Sequence, residues 1–221
     1  MDHVGEIVKL ISGMSGSYAP YNIFSDWIEM AAISVQNLAC VHHGKLWKKR
    51  EQQFANVRAR YTDSQYDGMA EMTAYLIEAL EADMRDVLGE VYMQGGMGNK
   101  YTGQFFTPFH VAEMLAKLGC ISGQIPQTGR LSLTEPSAGG GGMVIAVCRQ
   151  LRDMGFDYQR KLDVVAQDLD WKGCYMSYLQ LSLIGCRALV VQGDTLTEPY
   201  SRGRTPEERI LRTPAMMGAL L

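Results

Sequence analysis

Short apolar runs alternate with longer helical stretches through the second half of the chain, and this alternation limits the possible folds more than any other pattern. The runs LSLTE (131–135), DVVAQD (163–168) and ALVVQGD (188–194) are separated by GMVIAVCRQLRDMG and DWKGCYMSYLQLSLIG. Strand, helix, strand, helix, strand is the order of a parallel sheet with helical crossovers. The sequence therefore predicts an α/β fold here.

The first hundred residues have a helical pattern instead. Apolar residues recur every three or four positions in residues 22–41, with Ser25 as a candidate N-cap, and again in residues 68–93, where the methionines are expected to fill the core. The segment QGGMGNK (94–100) is rich in helix-breaking residues. We therefore expect a helical N-terminal domain over residues 1–98 and an α/β domain over residues 99–221.

Composition excludes several classes of protein. With 47% hydrophobic and 20% charged residues the chain is globular, and no apolar run reaches the roughly 18 residues that span a bilayer, so we expect a cytoplasmic protein without a membrane partner. Five cysteines without a C-x-x-C pair argue against disulfides and zinc. A net charge of -3 gives no general attraction to nucleic acid, so a nucleic-acid role needs a local basic patch. The basic stretch KLWKKR, continued by Arg58 and Arg60, is a candidate for such a patch, although a solvated helix face is the favoured interpretation.

Four consecutive glycines follow the first predicted strand in LTEPSAGGGG (133–142). A loop at this place in a parallel sheet commonly contacts a ligand with its backbone. No lysine with a following Ser or Thr completes a P-loop, and the spacing does not match the G-x-G-x-x-G of a dinucleotide site. Nucleoside triphosphates and NAD are therefore disfavoured as ligands.

An acid ends each predicted strand: Glu135, Asp168 and Asp194. Acids repel phosphates but attract the sulfonium and ammonium groups of S-adenosylmethionine (SAM). Asp168 is placed to accept hydrogen bonds from ribose hydroxyls, and Asp194 from an adenine amino group. Any one of these acids alone could be a turn or cap residue, but together they predict a SAM site.

These motifs resemble those of the adenine-N6 DNA methyltransferases, above all the modification subunits of type I restriction systems. GQFFTP (103–108) is similar to the signature that precedes the glycine loop of that family, and EPSAGGGG, VVAQDLD and GDTL are similar to its three cofactor motifs. The resemblance implies a Rossmann-like SAM-dependent methyltransferase sheet and the following cofactor-binding residues: Phe105, Phe106, Thr107, Glu135, Ser137, Gly139, Gly141, Asp168 and Asp194.

The catalytic motif of that family is Asn or Asp, Pro, Pro, then Tyr or Phe. It accepts the protons of the adenine amine and stacks on a flipped base. The expected place in this chain holds Thr213, Pro214, Ala215 and Met216, of which the proline alone agrees. The resemblance thus implies a SAM-dependent adenine-N6 DNA methyltransferase with Thr213, Pro214 and Met216 at the catalytic positions. One alternative is an inactive methyltransferase-fold module that binds SAM, DNA or a restriction-modification partner, and another is a methyltransferase that acts on a smaller substrate.

The family also has more strands than the four that this chain accommodates, so an incomplete sheet is expected. An exposed fourth strand would attract other polypeptides, so either the C-terminal ALL covers it or another polypeptide does. The expected partners are therefore DNA and a specificity subunit or another protein that covers the sheet edge.

Overall fold

A computed structural model describes residues 1–16, 18–40, 42–97, 106–122 and 129–219. Five helices come first, and the elements of an α/β unit follow. In chain order the elements are α1 (His3–Met14), α2 (Pro20–Leu38), α3 (Lys45–Arg58), α4 (Asp63–Ala82), α5 (Val87–Gln94), α6 (Phe109–Ser122), β1 (Leu131–Glu135), α7 (Gly142–Asp153), α8 (Tyr158–Lys161), β2 (Leu162–Asp168), α9 (Trp171–Leu183), β3 (Arg187–Gln192), β4 (Ile210–Arg212) and α10 (Pro214–Met217). The predicted α/β sheet preceded by helices is confirmed.

The helical region differs from the sequence prediction at its helix ends. Helix α2 begins at Pro20, so Ser25 lies within the helix and is not its cap. The segment 68–93 forms two helices, because Asp83 is extended and Asp86 caps α5 with its side chain. Met69, Met72 and Met84 of this region are buried in the core as expected, whereas Met93 is exposed.

Strands β1, β2 and β3 run parallel in the order expected from their crossovers. Glu135 of β1 lies opposite Ala166 of β2, and Asp168 of β2 lies opposite Gln192 of β3. Helices α7 and α9 supply the crossovers between these strands. All three carboxyl ends therefore meet at one edge of the sheet, which we call the carboxyl edge.

Strand β4, whose direction the alternation of strands and helices does not predict, makes the sheet mixed. It pairs with β3 in the antiparallel direction, with Ile210 opposite Val191 and Arg212 opposite Leu189. The connection over residues 193–209 contains no α-helix, and a parallel pairing commonly requires a helical crossover. The end of β4 consequently lies beside the start of β3.

The two outer strands differ in how they are covered. At β4, the Arg212 amide donates to Gln36 Oε1 over 2.9 Å, and the Arg50 guanidinium lies 3.5 Å from the Ile210 carbonyl oxygen. Helices α2 and α3 thus cover this edge. Within the described residues, no strand pairs with the outer side of β1.

One hydrophobic core extends from α1 to β4, across the predicted domain boundary between residues 98 and 99. Helix α9 lies at its centre and packs against α2 on one side and against β3 on the other. In the described parts of the chain, no helix is both long and apolar enough to cross a bilayer. The helical region therefore serves as a support for the sheet and its loops.

Candidate functional site

Three loops meet at the carboxyl edge and are joined by hydrogen bonds. The Gly193 amide after β3 donates to the carbonyl oxygen of Asp168 over 2.9 Å. The Thr195 hydroxyl donates to the carbonyl oxygen of Pro136, in the loop after β1, over 2.6 Å. The loops after β1, β2 and β3 therefore form one surface, as the parallel register requires.

Asp168 is the centre of this surface. Its carboxylate accepts from the Gly139 amide over 2.7 Å and from the Asp170 amide over 2.9 Å. A carboxylate has about four acceptor positions, so two backbone donors leave room for further hydrogen bonds. A Cβ at Gly173 would lie 2.9 Å from this carboxylate, so α9 needs glycine there. The structure thus holds Asp168 firmly and leaves it acceptor capacity.

The other two acids lie at the ends of the neighbouring strands. Glu135 is partly exposed, and its Oε1 accepts from the Ser137 amide over 3.0 Å. Asp194 Oδ1 accepts from the Leu196 amide over 2.9 Å, and this bond together with one from Thr197 lowers the pKa of Asp194. All three acids therefore lie at one edge, and Asp194 is held in its charged form.

The tetraglycine loop lacks side chains mainly because neighbouring protein atoms leave no room for them. A Cβ at Gly139, where φ is +50°, would lie 3.2 Å from the Phe106 ring, and one at Gly141, where φ is +89°, would lie 3.2 Å from Ser177 Cβ. A Cβ at Gly140 would lie only 2.7 Å from the carboxylate of Asp86. The glycines therefore let the loop pack against α9 and the start of α5, in addition to any role toward a ligand.

Asp86 and Gln180 hold the loop from behind. Gln180 Nε2 donates to Asp86 Oδ1 over 2.8 Å and to the Gly140 carbonyl oxygen over 2.7 Å, while its Oε1 accepts from the Leu88 amide over 3.1 Å. Asp86 also accepts from the Gly89 amide at the start of α5. One buried amide thus joins the helical region, the glycine loop and α9.

The sequence motifs predict none of this support, although α9 contains a signal for it. In the helix WKGCYMSYLQLSLIG, Lys172 and Gln180 are polar residues among buried ones. Buried polar side chains require partners. The Lys172 ammonium has them in the hydroxyls and ring faces of Tyr21 and Tyr92, with centroid distances of 4.7 and 4.8 Å. Polar residues in an otherwise apolar helix therefore indicate buried hydrogen-bond partners, such as those that support the glycine loop.

We expect Asp86→Asn to change how stability depends on pH. Burial raises the pKa of Asp86, against the hydrogen bonds from Gln180 and Gly89, which lower it. The pKa of Asp86 in the folded protein lies above the ordinary value of 3.8. At pH values between these two pKa values, the folded protein binds more protons than the unfolded chain. The free energy of unfolding therefore falls as the pH rises through this range. Asparagine keeps the acceptor oxygen but does not titrate.

Urea unfolding of both proteins from about pH 4 to about pH 7 measures this effect. The asparagine variant should gain stability relative to the wild type as the pH rises. Parallel curves for the two proteins would contradict a raised pKa at Asp86.

The GQFFTP segment is described from Phe106 onward, and Phe105 lies outside the described residues. The Phe106 ring packs edge-on against Tyr92 at 5.2 Å and covers Gly139. Thr107 is exposed and, with Asp86, lines a cavity of about 340 Å³ between α5 and the start of α6. The structure thus brings Phe106 to the glycine loop. Thr107 instead lines the cavity between α5 and α6, on the side of the loop where Asp86 lies.

The residues at the predicted catalytic positions do not lie at the carboxyl edge. Thr213 is fully buried, its hydroxyl donates to the Cys186 carbonyl oxygen over 2.7 Å, and it accepts from the Ala188 amide over 2.9 Å. Met216 Sδ lies 3.7 Å from the guanidinium of Arg187. These contacts lie at the start of β3, about 13 Å along the strand from its carboxyl end.

The structure does not bring Thr213, Pro214 and Met216 to the carboxyl edge. Methyl transfer requires reacting atoms about 3 to 3.5 Å apart, so a catalytic group must lie at the cofactor edge. Because β4 runs antiparallel, the motif that follows it lies at the opposite end of the sheet. In this structure the Thr213 hydroxyl instead satisfies backbone groups next to the start of β3.

The carboxyl edge has the chemistry to bind a cationic nucleoside. Asp168 offers carboxylate oxygens to vicinal hydroxyls, and Glu135 and Asp194 add two further negative charges. A phosphate would be repelled by the same three acids. The residues present therefore fit SAM, the cofactor that the sequence predicts. Among the described residues, no cluster of side chains suited to a metal ion is found.

A sequence profile described as N-6 DNA Methylase matches residues 83–215. No curated protein sequence is significantly similar to the chain. A class I S-adenosylmethionine-dependent methyltransferase from Listeria monocytogenes superposes with a TM-score of 0.47 and 11% identity, covering 89% of this chain and 55% of that one.

The methyltransferase subunit of a type I restriction-modification system from Streptococcus thermophilus superposes with a TM-score of 0.48 and 17% identity, covering 87% of this chain and 43% of that one. The chain thus spans about half the length of these two solved structures. The sequence profile, by contrast, covers more than half of the present chain and includes the glycine loop and all three strand-end acids. The chain therefore belongs to the N-6 DNA methylase family.

Proposed function

We propose that this protein binds SAM at the carboxyl edge and takes part in methyl transfer to adenine N6 in DNA. The hydrogen-bonded convergence of the three loops on Asp168 is the observation that carries the proposal. In it, Asp168 accepts from the ribose hydroxyls, Asp194 accepts from the adenine amino group, and Glu135 attracts the positive end of the cofactor. SAM would supply the methyl group.

The remaining predicted residues have supporting roles in this proposal. Ser137, Gly139 and Gly141 shape the loop that lies along the methionine part of the cofactor. Phe106 closes over that part from the residues before α6. Phe105 and Thr107 are proposed for the same role from the family pattern alone, because Phe105 lies outside the described residues and Thr107 lines the cavity between α5 and α6. The contact between the Phe106 ring and Gly139 supports this arrangement.

Isothermal titration calorimetry with SAM tests the cofactor site. We expect one SAM to bind per chain, and competition by S-adenosylhomocysteine, which lacks the sulfonium charge, to be measurable. NADH and ATP should not compete, because their phosphates would face the three acids. A chain that binds neither SAM nor S-adenosylhomocysteine would refute the proposal.

The acceptor in this proposal is adenine in DNA, supported by the N-6 DNA methylase profile. A second candidate is a SAM-binding module that carries out no transfer by itself. The position of Thr213 at the start of β3, away from the carboxyl edge, favours this second candidate. Transfer of tritiated methyl groups from SAM to unmethylated DNA distinguishes the two.

We expect the triple variant Thr213→Asn, Ala215→Pro, Met216→Tyr to gain no methyl transfer activity. Restoring the family motif cannot help where the motif lies at the far end of the sheet. The variant should also be less stable, by about 1 to 3 kcal/mol, because asparagine replaces a buried hydroxyl that has two backbone partners. Tritium transfer measures the first effect and urea unfolding the second. A clear gain in transfer would show that the motif reaches the cofactor.

A protein partner completes the proposal. The outer side of β1 is free of strands within the described residues, whereas helices α2 and α3 cover β4. A specificity subunit or another polypeptide would therefore bind on the β1 side of the sheet. We also propose a cytoplasmic location, where SAM and DNA are available.

A further inference from the structure

A second cavity, of about 400 Å³, opens between α2, α3, α9 and the end of β3. We call it the α3 cavity; its walls include Glu29, Gln53, Trp171, Tyr175 and Gln192. Its volume lies within the range of about 300 to 1,000 Å³ that is usual for small-molecule sites. Gln192 is the register partner of Asp168, so the cavity adjoins the carboxyl edge.

The cavity has an aromatic wall. Trp171 is partly exposed and stacks on Tyr175, with ring centroids 5.3 Å apart and an interplanar angle of 28°. Tyr175 is 7% exposed and supports the indole from within the core. A supported, accessible indole is a platform on which a planar base can stack, with a gain of about 1 to 3 kcal/mol.

Polar groups stand beside this wall. Gln53 Nε2 donates to Glu29 Oε1 over 2.9 Å and to the Tyr175 hydroxyl over 3.1 Å. Both N–H groups of Gln53 are used in these two bonds, so the Gln53 carbonyl oxygen and the Glu29 carboxyl group are left to accept from the amino group of an adenine. The cavity thus offers both a stacking face and hydrogen-bonding groups for the edge of a base.

Cations line the cavity as well. Arg50 is half-buried and, among the described residues, forms no ion pair with a carboxylate, while Lys49 beside it is exposed. Arg209 is already paired with Glu198 over 2.5 Å, and Glu208 adds a negative charge. Arg50 and Lys49 are therefore the groups that can contact a phosphate. These two residues belong to KLWKKR, whose other lysines are solvated.

We propose that the α3 cavity binds an unpaired nucleobase stacked on Trp171, with Gln53 and Glu29 at its edge and its phosphate on Arg50 and Lys49. This inference rests on the proposed function, because it supplies the position of the methyl acceptor that the Thr213 segment does not provide. The base belongs to a DNA strand; a free nucleotide has the same chemistry and is separated from it in the test.

The test uses a short single-stranded oligodeoxynucleotide that carries one 2-aminopurine, whose fluorescence is quenched when it stacks. The full chain should quench it, and Trp171→Leu should weaken binding about 10-fold or more. Trp171→Phe keeps a ring and should restore binding to within about threefold of the wild type. Trp47→Leu is the matched control, because Trp47 stacks on His43 outside the walls of the cavity and should leave binding unchanged.

Two further titrations identify the ligand. An oligonucleotide with an abasic site in place of 2-aminopurine should bind about 10-fold more weakly. Deoxyadenosine monophosphate should compete only weakly, since it lacks the neighbouring phosphates. Equal binding of the abasic oligonucleotide, or Trp171→Leu binding like the wild type, would overturn the inference, and tighter binding of the mononucleotide than of the strand would overturn the assignment to DNA.

Calorimetry with SAM on the same variants separates this inference from the proposed function. Trp171→Leu should retain the wild-type affinity for SAM, which also shows that the variant is folded. SAM binding without quenching would refute the α3 cavity alone. Quenching without SAM binding would refute the cofactor site and leave the cavity as a nucleic-acid site.

Discussion

Replacing Asp168 by alanine is expected to weaken SAM binding about 100-fold or more. A hydrogen bond to a charged acceptor contributes about 1.5 to 3 kcal/mol, and the proposed site loses two of them, one from each ribose hydroxyl. The Gly139 amide also loses its acceptor at 2.7 Å, so the glycine loop is less firmly held. Calorimetry with SAM measures the effect.

The matched control is Asp153→Ala. Asp153 is an exposed acid at the end of α7 whose described ion pair is with its neighbour Arg152. It changes the net charge by the same amount and should leave the affinity for SAM unchanged. If Asp168→Ala bound SAM within about threefold of the wild type while remaining folded, Asp168 would not belong to the cofactor site.

Gly141→Ala is expected to lower the free energy of unfolding by about 3 kcal/mol. Gly141 has a φ of +89°, a conformation that costs other residues about 1 to 2 kcal/mol. The new Cβ would also lie 3.2 Å from Ser177 Cβ and 3.3 Å from Ser177 Cα. The Cα belongs to the backbone of α9, which cannot turn aside as a flexible side chain can. Overpacking of this kind adds about 1 to 3 kcal/mol.

Gly155→Ala separates these two costs. Gly155 has a φ of +76°, and a Cβ there would meet no atom within 4 Å. This variant should therefore lose only the conformational part, about 1 to 2 kcal/mol. Urea unfolding of both variants gives the difference directly. Equal losses would show that contact between the glycine loop and α9 is not tight.

The supports of the glycine loop and the proposed ligand contacts lie on its two sides. Behind the loop, Gln180 and Asp86 bind the backbone and the start of α5. In front of it, Asp168 holds the Gly139 amide. A loop fixed on both sides is preorganised, so ligand binding does not have to pay for its ordering. The helical region therefore contributes to the proposed cofactor site without containing any of the predicted ligand residues.

Because Thr213 lies away from the carboxyl edge, the proposed site for the methyl acceptor must be formed by other residues. The sequence places the TPAM segment after a strand, as the family pattern requires. Strand β4 runs antiparallel to β3, so its carboxyl end and the segment that follows it lie at the edge opposite the carboxyl edge. The α3 cavity lies at the carboxyl edge instead, with Gln192 opposite Asp168.

Much of the sheet was predictable because the signals are local. The run LSLTE coincides with β1, and the other two runs agree with β2 and β3 to within two residues at either end. Strand-end acids are likewise a property of position in the chain, and parallel strands necessarily bring them to one edge. The order of the elements, the parallel core and the gathering of Glu135, Asp168 and Asp194 were therefore determined by the sequence alone.

Tertiary structure decided the rest, because those contacts join residues far apart in the chain. Asp86 interrupts a helical pattern that looks continuous, and its partner Gln180 lies 94 residues away. The direction of β4 depends on how residues 193–209 cross the end of the sheet, which no periodicity encodes. That direction places Thr213 beside Ala188 instead of Asp168, since strand pairing is chosen by packing over the whole sheet and not by the motif that follows the strand.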